Sequence, residues 1–259
     1  MNPWQAVVMA IVEGVTEFLP ISSTAHLMLT AQILKIAQTE FVKSFEIIIQ
    51  LGAIFSVLVI YGKKISTDWE RMKRIIIAFL PTGVLGLVLY KIVKTYLLGN
   101  VGVTVAALLI GGVIIILIEK FEILNSKFQI NSKLQIQNLN TKQSLTIGLI
   151  QAISMIPGVS RAMATIFGGM GVGLTRKEAT EFSFLLATPT MAAATGYDLV
   201  KSGWSFSGSE WIVLGIGFAG AFITAWLTVK WLIGYVQKHN FTAFGIYRII
   251  LGLAFLLFV

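Results

Sequence analysis

Apolar runs long enough to cross a bilayer recur from one end of this 259-residue chain to the other. The hydrocarbon core has no water to satisfy backbone N–H and C=O groups, so such runs must bond internally as helices. Six stretches, about 46–62, 75–97, 101–118, 181–199, 210–233 and 241–259, approach the roughly 20 residues that a crossing helix needs. At 56% hydrophobic and 12% charged, the chain is too apolar for an ordinary water-soluble domain, and it reads as an integral membrane protein. The runs are spread along the whole length, so they are not one removable signal peptide. The first of them carries Glu13 and Glu17 where a signal peptide would be uninterrupted, and it is expected to remain. With no cysteine, disulfides and thiolate metal sites are excluded. The net charge of +8 does not point to nucleic acid, because the basic residues sit mostly in short connections between apolar segments.

Two further apolar regions are broken. Residues 4–34 are interrupted by Glu13, Glu17, Pro20 and Ser22-Ser23-Thr24, and residues 145–174 by Pro157, Gly158, Ser160 and Arg161. A proline among small polar residues frees backbone groups that lipid cannot satisfy, so each region reads as a re-entrant hairpin rather than a simple span. Sliding one region onto the other lays Pro20 on Pro157, Ser23 on Ser160, Thr24 on Arg161 and Phe45 on Phe182, which suggests an internal duplication.

The expected fold is therefore all-α and polytopic, with a first repeat over 1–119, a cytoplasmic linker over 120–144 and a second repeat over 145–259. Each repeat holds one hairpin and three spans. An odd number of spans inverts the second copy, so the two hairpins enter from opposite faces and their tips meet near the midplane. Connections at 63–74, 119–144, 175–178 and 234–240 carry most of the lysines and arginines, against Lys35, Lys43, Lys91, Lys94 and Lys201 on the other side. The richer side is expected to be cytoplasmic, which opens the first hairpin to the outer face. The linker contains the near-repeat NSKFQI and NSKLQI and reads as a mobile connection without chemistry, although a small hairpin is an alternative.

Ionisable groups at membrane depth mark function by default. Glu13 and Glu17, four residues apart, share one helix face at about 6 Å between Cβ atoms and can hold a hard divalent cation or share a proton. Ser22 and Ser23 follow the Pro20 break, and Ser22 reads first as a cap on the returning helix. Ser23 and His26 lie within reach of each other, placing an acid-base group beside an oxygen nucleophile. Arg161, at the start of the second returning helix, suits a phosphate group or else a buried pairing with Glu13 or Glu17. Ser160, Ser22, Thr24 and Thr165 are the hydroxyls expected to bind substrate with it. Gln50 and Gln151 are expected to bond the hairpin backbones, Glu181 to sit at the interface, His239 in a solvated turn, and Arg248 against a carbonyl or a lipid headgroup.

At these residues the chain resembles the undecaprenyl-diphosphatase family, the bacitracin-resistance membrane phosphatases. The resemblance rests on EGVTEFLPISSTAH, FEIIIQLGAI, PGVSRAMATI, EFSFLLATPT and FGIYR, in order across nearly the whole chain. It implies a bacterial inner-membrane enzyme that hydrolyses the lipid diphosphate carrier to its monophosphate for cell-wall glycan synthesis. It also implies a divalent cation (Mg²⁺ or Ca²⁺) held by Glu13 and Glu17, membrane lipids as partners, a homodimer as one arrangement, and functional roles for Glu13, Glu17, Ser23, His26 and Arg161. Two departures stand out: Ala162-Met163 replaces the family's usual Ser-Gly after Arg161, and Ala25 replaces a glycine before His26. Ser23, His26 or a water activated by His26 would attack the terminal phosphorus. The rival reading is a polyprenyl-phosphate flippase or ion-coupled transporter, since broken helices in inverted repeats also build carriers. Acid-phosphatase-type lipid phosphatases fit less well, because they need a second histidine with an aspartate and a Lys/Arg signature.

Overall fold

The computed structural model describes residues 1–97, 99–124, 134–202 and 206–258, and the described residues are almost entirely helical. In chain order they form α1 (Pro3–Thr16), α2 (Ser23–Ile33), α3 (Glu40–Thr67), α4 (Trp69–Ile92) with a π-helical turn at Val93–Leu97, and α5 (Val101–Leu124). There follow a 3₁₀ turn at Ile136–Asn138, α6 (Thr141–Ala152) with a 3₁₀ turn at Ile153–Met155, α7 (Arg161–Gly171), α8 (Arg176–Ser202), α9 (Gly208–Val236) and α10 (Thr242–Phe258). Helices α3, α4, α5 and α9 are long and apolar enough to cross a membrane. The other two expected spans are also helices: α10 has 17 residues, and α8 is long enough at 27. Helix α8 is less apolar because it buries Thr180, Glu181 and Ser183 among its neighbours.

Large side chains such as Leu87, Val88, Ile110, Ile212 and Ile250 face outward, as a lipid-contacting surface requires. Inside, helices approach through small residues, the usual basis of packing where lipid removes the hydrophobic drive between helices. Helices α5 and α10 cross at Gly112 and Gly245. A Cβ on either would come within 2.7 or 2.8 Å of the other's carbonyl oxygen.

The two broken regions end in the same devices. Asn2 and Asn140 each cap a helix in a reciprocal box with the residue three on, Gln5 or Gln143. The side-chain amides of those glutamines donate to the carbonyls of Leu34 and Val172, at the far ends of the returning helices. Ser22 and Ser160 cap the returning helices with φ of 73° and 67°, a conformation that costs a non-glycine residue about 1 to 3 kcal/mol. The matching register is thus one residue further along than the proline suggested: Ser22, not Ser23, corresponds to Ser160. The feature held in common is the strained serine cap, and the proline sits one residue nearer to it in the first hairpin.

Pro81 and Pro189 lie inside α4 and α8, and the threonine after each is bonded by the Gln151 amide, to Thr82 at 2.8 Å and Thr190 at 3.2 Å. Gln151 therefore links two proline-interrupted helices rather than bonding the hairpin backbone. At the end of the molecule rich in basic connections, Glu181 is buried, accepts from Lys64 at 3.1 Å and lies 3.6 Å from Arg71. Residues 134–140 dock there. Ile136 and Leu139 are fully buried, and the Ile136 N–H donates to Glu178. That stretch is anchored, not a free connection; residues 125–133, which carry most of the near-repeat, lie outside the described residues.

Arg176 of α8 donates to Glu119 of α5 at 2.6 Å, and Glu119 also accepts the Phe241 N–H before α10. Glu119 is fully buried while the Arg176 side chain is 22% exposed. Removing the cation would strand a buried carboxylate, so Arg176→Met is expected to cost about 3 to 5 kcal/mol. Glu119→Gln keeps an acceptor for Phe241 and is expected to cost less. Melting of the two variants in detergent checks the order; equal Tm values would refute it.

Candidate active site

The site forms where the two hairpin tips meet. Glu17 follows the last turn of α1, and its carboxylate divides between the hairpins: Oε2 accepts from Ser23 Oγ at 2.6 Å, and Oε1 from Arg161 Nη2 at 2.8 Å. Arg161 makes the buried pairing with Glu17, and it also borders a cavity. Its Nη1 donates to the carbonyl of Ser183 in α8, and its guanidinium carbon lies 5.7 Å from the Phe18 ring centroid. Its Nε is buried without a hydrogen-bond partner. Thr165, one turn along α7, is fully buried and donates to Ser183 Oγ at 2.6 Å, behind the arginine.

The cavity has a volume of about 200 Å³ and is lined by Glu17, Ser22, Ser23, Thr24, Ser160 and Arg161, with Gln50, Ser154 and Thr190. Gln50, Ser154, Thr190 and Ala194 also line a second, larger groove of about 620 Å³ that runs between α4 and α8 past Leu80, Val84, Leu87 and Tyr90. A charged chamber thus opens directly onto an apolar channel. The reactive end of an amphiphile fits the first and a hydrocarbon chain the second.

Two expected residues stand back from this wall. His26 is buried with both ring nitrogens engaged: Nδ1 lies 2.7 Å from the Ser22 carbonyl and Nε2 2.7 Å from Tyr247 Oη, with the two rings parallel to within 6°. A carbonyl only accepts, so Nδ1 carries the proton and a neutral ring accepts the tyrosine hydroxyl at Nε2. The partner of Ser23 is Glu17, not His26. Glu13 is fully buried behind Glu17, and neither of its oxygens has a hydrogen-bond partner.

The two carboxylates test the fit of a divalent cation. Among the described residues no cluster of three or more His, Cys, Asp or Glu side chains is present. Two adjacent carboxylates, one with both oxygens unpartnered, match the sparse protein ligation of Mg²⁺, which draws its other ligands from substrate phosphate and water. To that extent the residues fit.

Sequence reasoning missed Ser183, Thr190 and Tyr247. Ser183 and Thr190 lie in the EFSFLLATPT motif and Tyr247 in FGIYR, but a lone hydroxyl in an apolar helix gives no sign of the partner it will meet.

An all-helical membrane protein with a buried Glu-Arg-Ser constellation between two broken helices, open to an apolar groove, is built to handle the polar end of a lipid. The chain belongs to the family described as bacitracin resistance protein BacA, which matches residues 6–254. It is 52% identical to the undecaprenyl-diphosphatase of Aquifex aeolicus over 100% of this chain and 99% of the relative, and 49% identical to that of Sulfurihydrogenibium sp. over 99% of each. The undecaprenyl-diphosphatase of Methanococcus aeolicus is 43% identical over 100% of this chain and 99% of the relative.

Proposed function

We propose that this chain hydrolyses undecaprenyl diphosphate to undecaprenyl phosphate and inorganic phosphate, returning the carrier to cell-wall glycan synthesis and so conferring bacitracin resistance. The observation that carries this reading is the Ser23–Glu17–Arg161 chain of hydrogen bonds on the wall of a cavity that continues into an apolar groove. The diphosphate occupies the cavity and the prenyl chain the groove.

Ser23 Oγ attacks the terminal phosphorus as its proton passes to Glu17 Oε2. The bond from that phosphorus to the bridging oxygen breaks, and prenyl phosphate leaves with the electron pair, stable enough as an anion to need no proton. Water then attacks the phosphoserine: as the bond from phosphorus to Ser23 Oγ breaks, Glu17 returns to Oγ the proton it took, and the phosphate released keeps the oxygen and both hydrogens of the water. Arg161, within reach of both hairpins, stabilises charge on the transferring oxygens. Glu13 and Glu17 would hold a divalent cation, which when bound supplies further charge neutralisation at the diphosphate. With both nitrogens engaged, His26 orients the Ser22 peptide rather than carrying the proton.

Two copies of one unit, residues 1–119 and 145–259, inserted in opposite senses, account for the matching caps and glutamine bonds of the hairpins. In that arrangement the first hairpin opens to the outer face of the inner membrane. The test is phosphate release from a C15 or C55 prenyl diphosphate by detergent-purified protein, with Mg²⁺, with Ca²⁺ and with chelator. Release is expected to need the cation, and Glu13→Gln is expected to raise the concentration required. Lipid binding without release would instead favour the flippase.

A further inference from the structure

Arg248 is the largest fully buried side chain among the described residues, and there it donates to five backbone carbonyl oxygens. Nη1 donates to Pro20 at 3.2 Å and Val159 at 3.4 Å, Nη2 to Gly158 at 2.8 Å and Ala107 at 2.9 Å, and Nε to Leu108 at 3.4 Å. Burying a cation against neutral dipoles alone is costly, and such a group persists at membrane depth when it does something the fold needs.

Its partners indicate what that is. Pro20 lies in the tip of the first hairpin, Gly158 and Val159 in the tip of the second, and Ala107 and Leu108 on α5. One planar guanidinium therefore ties both tips to a single crossing helix. The three bonded carbonyls of the tips, those of Pro20, Gly158 and Val159, lie within two residues of Ser22 or Ser160, the two caps held at positive φ. Such strain persists only where the surroundings over-determine it. Because the peptide is trans, a Val159 carbonyl turned toward Arg248 points the N–H of Ser160, which borders the cavity, the other way. The preceding residue extends the arrangement: Tyr247 Oη bonds His26 Nε2, and His26 Nδ1 donates to the Ser22 carbonyl.

We infer that Tyr247 and Arg248 form a clasp that holds the two hairpin tips in catalytic register: Arg248 is a positioning residue for both tips, and Tyr247, through His26, for the first alone. The inference rests on the phosphatase reading for its kinetic effect, though not for its structural one. Substrate has no part in the clasp, because Arg248 is fully buried and borders neither the cavity nor the groove. Gly111 of α5 makes room for it: a Cβ there would lie 2.9 Å from Arg248 Cζ and closer still to Nη2.

The test compares Arg248→Lys, Tyr247→Phe and Gly111→Ala with the parent protein in detergent, reading kcat and KM on a C15 prenyl diphosphate and hydrogen exchange at residues 17–23 and 156–161. Lysine keeps the charge but cannot span both tips. Arg248→Lys is expected to lower kcat about 100-fold, the cost of a misplaced constellation, with KM within about threefold, and to raise exchange at both tips. Tyr247→Phe, which loses one hydrogen bond, is expected to lower kcat about fivefold and raise exchange at the first tip only. Should Arg248→Lys fail to fold, Gly111→Ala displaces the same guanidinium without altering it and is expected to reproduce the pattern. A rise in KM at unchanged kcat would make Arg248 a substrate contact and overturn the inference, as would unchanged exchange at both tips. An inactive parent protein would overturn the phosphatase reading instead, leaving the clasp to be judged by exchange.

Discussion

Glu17→Gln is expected to lower kcat by at least about 10³-fold, within the range for losing a positioned base, while leaving the fold intact. The amide fills the same space and still accepts from Ser23 Oγ, which lies 2.6 Å away. It cannot take the serine proton and keep it, and it presents no charge to Arg161, now 2.8 Å from an oxygen of the carboxylate. Ser22→Ala is the matched control. Its hydroxyl accepts only a long 3.5 Å bond from the Ala25 N–H, and losing a helix cap costs about 1 kcal/mol of stability without touching the proton path. Steady-state phosphate release by the two purified variants decides the matter. If they are equally active, Glu17 is not the base; if Glu17→Gln is inactive only because KM has risen, its role is binding.

The second large effect is expected at Arg161. Arg161→Lys retains the positive charge but loses the planar fork that reaches Glu17 with one nitrogen and the Ser183 carbonyl with another. A lysine satisfies one of these and leaves the other buried acceptor without its donor, so kcat/KM is expected to fall about 10²- to 10³-fold, the usual loss for a donor that stabilises transition-state charge. Arg161→Met should fall further. It leaves Glu17, whose side chain is 4% exposed, as a buried carboxylate without its cation, and is expected to cost about 3 to 5 kcal/mol in stability as well. Arg161→Lys with undiminished kcat/KM would show that charge alone suffices and that the fork is dispensable. Paired measurement of Tm and kinetics separates the two contributions.

Much of this arrangement was legible in the residues because lipid narrows the possibilities. Four of the six expected spans are helices long and apolar enough to cross, and both broken regions turn where proline and small polar residues interrupt them. The register between the two hairpins was read one residue short. Proline draws the eye in a sequence, whereas the shared device is a serine forced to positive φ, and backbone strain of that kind leaves no mark in residue identity alone. The partners of Glu181 were hidden for a related reason: a charge near a span end gives no sign that the cations of other helices, Lys64 and Arg71, close over it.

Within the site, the candidates followed from the cost of ionisable groups in hydrocarbon, and that cost depends on residue type and local hydropathy, both written in the chain. The partners did not follow. That Ser23 faces Glu17 and not His26, that Tyr247 closes on His26 across 221 residues, and that Arg248 finds five carbonyls on three separate segments are consequences of how the helices pack. Local sequence dictates where a helix starts, stops and breaks, because those events are set by bonds within a few residues. Which nitrogen meets which oxygen between distant segments is set by close approaches such as Gly112 against Gly245, and these exist only once the tertiary structure has formed.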